Sequence, residues 1–395
     1  MDQRSEEDFS ITTTFFYLKF VGFWLVTNKF EERMKTLSII YTVTMLSIAV
    51  GIEGTDLYYS LDNFGEAIYT GNNVMTISMV LLKIFISYIH RKKLLRLVIY
   101  AKTNFWHLNY EPEEMEIMDN CRRTCTFLIC AFSFLTQGTV AGFIMSCVVE
   151  NIGRNESDRV FPFNVWLDVP EITLTPYFEI ISAIEVLALC HVGVCYLCFD
   201  NFLCLMNLHA ACQFRILQHR LSKVYVIHEK EKDHLTVKYY DTLRGYFKQH
   251  QTLIAYCDKF EEAFSVMVLA QVLLFSLLIC LDGFLVLMDD APNMRRVIFA
   301  FHLMCCICQL LMFTYSCDCL IRESLDVATA VYNSPWTVVP HDNMGKMVRK
   351  DLVLMILRSR VPCCITASGF FVVSLETYTR VLSTAVSYFT LLNQY

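Results

Sequence analysis

From about residue 36 onward the chain alternates long apolar runs with short charged stretches. A helix that crosses the hydrocarbon core of a bilayer needs about 20 apolar residues. Windows of that length fall at Thr36–Tyr58, Glu66–His90, Thr124–Val149, Tyr177–Met206, Glu262–Met288, Val297–Cys319 and Val361–Asn393. The pattern predicts an all-α membrane protein of seven transmembrane helices. The last window is the most polar. Along it one line of positions runs Glu376, Arg380, Ser383, Ser387, Leu391, Gln394, and the opposite line runs Leu375, Tyr378, Leu382, Ala385, Phe389, Leu392. Steps of three or four residues on both lines give the period of an amphipathic helix. Lipid offers such a stripe no hydrogen-bond partner, so it must face protein or a water-filled lumen. A bundle contact and a pore are both open.

The segments between the windows set the organisation. Residues 1–35 mix charges with Phe15, Phe16, Tyr17, Phe20 and Trp24, which predicts a short helix in a cytosolic N-terminal segment. Residues 36–206 hold the first four spans, and 207–261 form a cytosolic helical extension with charge every few residues. Residues 262–395 hold the last three spans. No Pro- or Gly-rich linker interrupts the 207–261 extension, so a single domain is expected. The third span carries Gly138 and Gly142 in GxxxG spacing, which favours close helix approach; a cavity opened by the missing side chains is the alternative.

Composition sharpens this. With 55% hydrophobic and 18% charged residues, a single soluble core is excluded. The 18 Cys sit largely in apolar runs, among them Cys195, Cys198, Cys305 and Cys306, where Cys serves as a small hydrophobe, and no metal or other cofactor is expected. A net charge of −6 gives no reason to expect nucleic acid as a partner. The first residues are acidic and polar, unlike a cleavable signal peptide.

Lys and Arg are distributed very unevenly: 27 lie in the N-terminal segment and the even-to-odd connections, and four in the remaining connections and tail. The positive-inside rule then puts the N-terminus in the cytosol and the C-terminus outside, the reverse of a G-protein-coupled receptor. Asn155-Glu156-Ser157 is a glycosylation acceptor pattern on the side expected to be external. Ionisable groups in or near spans are Glu66, Lys83, Glu179, Glu185, Asp282, Asp318 and Arg380, with Glu185 and Arg380 the deepest; Glu376 and Arg380 are spaced for an intrahelical pair. Phosphate-loop, dinucleotide, zinc-protease and serine-hydrolase motifs are missing, so an enzyme is not expected.

The second half carries further signals: Asp200-Asn201-Phe202 with His209 and Gln213-Phe214, His250-Gln251 ahead of Phe260-Glu261, and Gln309 through Tyr315. Trp336, Gly369-Phe370-Phe371, Ser374 through Tyr378 and Ser387 through Leu392 complete the set. Together these resemble the insect odorant receptor family. The resemblance implies a ligand-gated, non-selective cation channel of four subunits, with helices 4–7 extending into a cytosolic anchor and the outer part of helix 7 lining the pore. It implies that Leu391, one turn beyond Ser387, and Gln394, a turn further, stand at the narrow gate; Asn393 and Tyr395 depart from the apolar ending of the shared co-receptor.

The chain lacks the long 4–5 insertion of that co-receptor, which makes it similar to a tuning subunit. The partners implied are a small volatile organic ligand, odorant receptor co-receptor subunits, membrane lipid and permeant cations, in the cell membrane of a sensory neuron dendrite. The family's pocket, among the outer halves of spans two, three, four and six, would here present Phe64, Ile68, Tyr69, Asn72, Gln137, Gly138, Ala141, Met145, Tyr177, Ile181, Ile184 and His302. A gustatory receptor channel, a G-protein-coupled receptor and a secondary transporter are the competing classes, the last without the paired broken helices that transporters use.

Overall fold

The computed structural model describes residues 8–24, 28–106, 109–163, 170–229, 235–287, 293–334, 336, 341 and 343–392. The expected short N-terminal helix is α1 (Phe9–Val21). Asp8 opens it by accepting from Ser10 N at 2.9 Å. Gly22 closes it at φ 97°, where a Cβ would come within 2.5 Å of Ile39 Cγ1, so glycine is required on both conformational and steric grounds.

The helices α2 (Lys29–Ser60) and α3 (Phe64–Ile89) follow, capped by Asn28 and Asn63. Next come α4 (Arg91–Asn104), α5 (Pro112–Glu150), α6 (Tyr177–Glu229), α7 (Leu235–Leu287) and α8 (Asn293–Asn333). The chain ends in α9 (Asn343–Ser359) and α10 (Leu375–Leu392). Among the described residues six helices, α2, α3, α5, α6, α7 and α8, are long and apolar enough to cross a membrane. The protein is therefore a multi-pass membrane protein, with α10 as a shorter and more polar companion.

The seventh span differs from expectation. Val361–Asn393 reads as one apolar run, but it is helical only from Leu375. Pro362 lacks an amide proton, and Ser368 and Gly369 take φ values of 53° and 80°. These break the run into a tight loop, in which Ala367 N donates to Phe371 O and Val373 N to Ile365 O, both at 2.9 Å.

The helices α6 and α7 contain 53 residues each, about 80 Å at 1.5 Å per residue, against a hydrocarbon layer of about 30 Å. More than half of each helix thus extends beyond the layer. At the centre α6 packs against α8, with α5 and α7 alongside; α2 and α3 form an antiparallel pair at one side, and α10 lies on α7 and α8. Where α6, α7 and α8 meet, Asp200 accepts from Gln271 Nε2 at 2.7 Å and from Gln309 Nε2.

Candidate functional site

A partly open cavity of ≈ 180 Å³ lies between α2, α3, α5, α6 and α8. Engineered apolar cavities of about 150 Å³ admit benzene, so this space suits a small organic molecule. Its walls are mainly apolar, with Ile52, Ile77, Val140, Phe143, Leu189 and Phe299 among them. The connection between α5 and α6 borders the cavity through Phe163. There Asn151 folds the loop back on itself, donating to Val160 O at 2.7 Å and accepting from Val160 N at 2.8 Å. Phe161 packs on Phe178 at 5.1 Å, Phe163 lines the cavity, and Phe163 N donates to Glu185 Oε2 at 3.2 Å.

Of the residues expected at a ligand site, Ile184 and His302 line this cavity. Asn72 reaches it indirectly: its amide donates to Asp282 Oδ1 at 2.8 Å, and His302 Nδ1 donates to the two Asp282 oxygens at 2.8 and 2.9 Å. The carboxylate thereby fixes the imidazole and leaves Nε2 for another partner. Ile68 and Tyr69 pack in a satellite cluster with Phe299 and Leu285, and Phe64 lies against Phe284 at 5.8 Å. Gly138 backs onto Phe301 of α8, where a Cβ would stand 3.1 Å from the ring, so the GxxxG pair makes a helix contact. Gln137, Ala141, Met145 and Tyr177 are exposed on the outer surfaces of α5 and α6, and Ile181 is half-buried.

The cavity thus lies among the expected helices and α2, with other faces turned to it than the expected residues occupy. On α5 it is Thr136, Thr139, Val140 and Phe143 that point to the space. The contribution of α2, through Ile48, Ile52 and Glu53, was missed. An acid inside the first apolar window was the available signal, since buried ionisable groups in spans usually have a task.

The helix α10 separates its two faces sharply. Val381 and Ala385 are buried against the bundle at 7% and 1% exposure, and Phe389 lies 3.5 Å from where a Gly283 Cβ would be. Glu376, Arg380, Ser383, Thr384 and Ser387 are exposed. Arg380 pairs with Glu376 at 2.6 Å, as the spacing predicts. Ser387 donates to Ser383 O at 2.9 Å and Thr384 to Arg380 O at 2.9 Å, so the outward hydroxyl oxygens keep acceptor capacity. Leu391 lies in the last turn of α10, and Gln394, Asn393 and Tyr395 lie outside the described residues. Asn155 is exposed at the start of a short 3-10 turn, Glu156–Asp158.

A bundle of membrane-crossing helices around a small, mostly apolar chamber is the layout of a small-molecule receptor. A family model described as the 7tm odorant receptor matches residues 60–386, and the chain belongs to that family. Odorant receptor 13a of Drosophila melanogaster is 24% identical over 95% of this chain and 93% of its own length. Odorant receptor 67c of the same species is 26% identical over 74% and 70%. The insect olfactory receptor OR5 of Machilis hrabei, solved in complex with eugenol, superposes with a TM-score of 0.80 at 15% identity over 97% of both chains, which establishes the shared fold. The family is one of receptors, not of enzymes.

Proposed function

We propose that the chain is the odorant-binding subunit of a ligand-gated, non-selective cation channel, assembled as a tetramer with the odorant receptor co-receptor. The observation that carries this reading is the exposed polar face of α10, from Glu376 to Ser387, which the chain's own bundle leaves uncovered. In a membrane such a face requires water or other subunits. Four copies of an amphipathic helix around one axis meet that requirement and create a lumen lined with hydroxyl oxygens. The ≈ 180 Å³ cavity is the odorant site. Its floor shares α8 with the packing surface of α10, so a ligand that shifts α8 can move the pore helix.

In this reading the N-terminus is cytosolic, as the uneven Lys and Arg distribution favours. The distal parts of α6 and α7, with α9, then form the anchor where subunits meet, Leu391 and Gln394 stand at the gate, and Asn155 faces outward as a glycosylation acceptor. Recordings from cells expressing this chain with and without the co-receptor test the assignment. Odorant-evoked cation current only in the presence of both, undiminished by G-protein blockade, is expected. A response carried by G protein alone, with no odorant-gated conductance, would overturn it.

A further inference from the structure

The polar lining of the cavity is one-sided. Thr76, Thr136 and Thr139 spend their hydroxyl protons on the carbonyls of Asn72, Phe132 and Leu135 in their own helices. Beside Asn73 and His302, what remains is acidic: Glu53 on α2 and Glu185 on α6 both line the space, at 3% and 6% exposure. One oxygen of Glu185 takes the Phe163 amide, and the other, Oε1, is buried without a partner. No Lys or Arg is among the described residues that line the cavity. Arg295, in the neighbouring cleft, is committed to Glu66 at 2.7 Å and to the face of Tyr69 at 4.2 Å.

Two carboxyl groups withdrawn from water with no Lys or Arg among the described lining residues form an arrangement that folding alone disfavours. A ligand that brings its own charge and hydrogen-bond donors relieves it. The rings of Phe143, Phe163, Tyr196 and Phe299 line the same space and offer π-faces that attract a cation.

We propose that the cavity takes a small volatile amine, with its nitrogen held by the carboxyl groups of Glu53 and Glu185 and its hydrocarbon part against the rings. This rests on the cavity being the odorant site. The complex holds one proton between a carboxyl group and the amine nitrogen, so an amine arriving as the neutral base needs no accompanying ion. A primary ammonium brings three donors, an alcohol one and an aldehyde none. The amine is therefore the only one of the three that can serve both acids at once.

Benzylamine, benzyl alcohol and benzaldehyde share one ring and differ only in that terminal group. In cells expressing this chain with the co-receptor, benzylamine should open the channel at a concentration at least about tenfold below benzyl alcohol, the ratio expected from one charge-assisted hydrogen bond. Benzaldehyde should be weakest. Glu185→Gln and Glu53→Gln should each bring the amine-to-alcohol ratio close to one. Purified full-length chain in detergent gives a readout independent of gating: benzylamine should raise its unfolding midpoint more than an equal concentration of the alcohol.

Equal or weaker action of benzylamine, or a ratio untouched by both variants, would overturn the amine assignment. If one variant fails to fold, the wild-type ratio and the other variant still decide. Ala188→Trp, which fills the cavity, separates the two levels of the reading. Neutral odorants that act in the wild type and are blocked by Ala188→Trp, with no preference for benzylamine, would sink the amine alone. Responses that survive Ala188→Trp unchanged would remove the cavity as the odorant site.

Discussion

Lys83 Nζ of α3 lies 2.6 Å from Asp200 Oδ2 of α6, and both side chains are almost wholly buried, at 2% and 1% exposure. The ammonium also stands 5.4 Å from the centre of the Tyr196 ring. With Gln271 and Gln309 on the same carboxylate, one acid ties together four helices, α3, α6, α7 and α8. Such a pair adds little net energy compared with apolar residues, but loss of one partner strands a buried charge.

Lys83→Met should therefore cost roughly 3–5 kcal/mol and sharply reduce the amount of protein at the cell surface. Adding Asp200→Asn to it should recover most of the loss, because the double variant buries no charge: the new amide oxygen accepts from one glutamine, and the new NH2 can donate to the unpartnered side-chain oxygen of the other. Surface labelling and the melting point in detergent measure both steps. A double variant as damaged as the single one would show that the pair does more than neutralise itself.

This network shows why the sequence was legible in some respects and not in others. Lys83 stood out as a charge in an apolar run. Its partner did not, because helix period says which side of a helix is polar but not which distant helix meets it. The same limit applies to α5: Gln137, Ala141 and Met145 share one stripe, and the stripe that lines the cavity is the adjacent one of Thr136, Val140 and Phe143. Apolar spans are readable because lipid and protein interior both demand apolar residues, and for that reason the sequence does not distinguish the two surfaces. The break before α10 was hidden in the same way, since Val361 through Val373 are apolar enough to pass for helix while Pro362 and Gly369 prevent it.

The contact between α5 and α8 gives a second expectation. A Cβ on Gly142 would stand 3.0 Å from Ile298 Cγ1, and Ile298 is buried at 3% exposure with little room to yield. Gly142→Leu should overpack this contact and lower stability by about 1–3 kcal/mol. Ala141→Leu, one position earlier on the exposed face, should change the melting point little. Equal melting points for the two variants would count against close α5–α8 packing.

Topology is tested from outside the cell. With 27 of the Lys and Arg in the N-terminal segment and the even-to-odd connections and four in the others, an epitope placed after Tyr395 should be labelled on intact cells, and one placed before Met1 only after permeabilisation. The reverse pattern would invert the proposed membrane orientation and put Asn155 in the cytosol, beyond the reach of glycosylation.

The pore assignment is tested on two faces of one helix. Ser387 is exposed, while Ala385, two positions earlier, is buried against the bundle at 1% exposure. If the exposed face of α10 lines a water-filled lumen, Ser387→Cys should react with a charged, membrane-impermeant thiol reagent added during odorant stimulation, and current should fall as it does. Ala385→Cys should react at the background rate set by the native cysteines, most of which are buried or half-buried. One turn beyond Ser387, a ring containing Leu391 would narrow the pore and expel water, so Leu391→Ser should raise current in the absence of odorant. Co-receptor subunits carrying their own side chains would reduce the size of that increase without changing its sign. Equal modification rates at positions 385 and 387, together with unchanged basal current in Leu391→Ser, would remove this helix face from the pore and return its polar stripe to a contact between subunits.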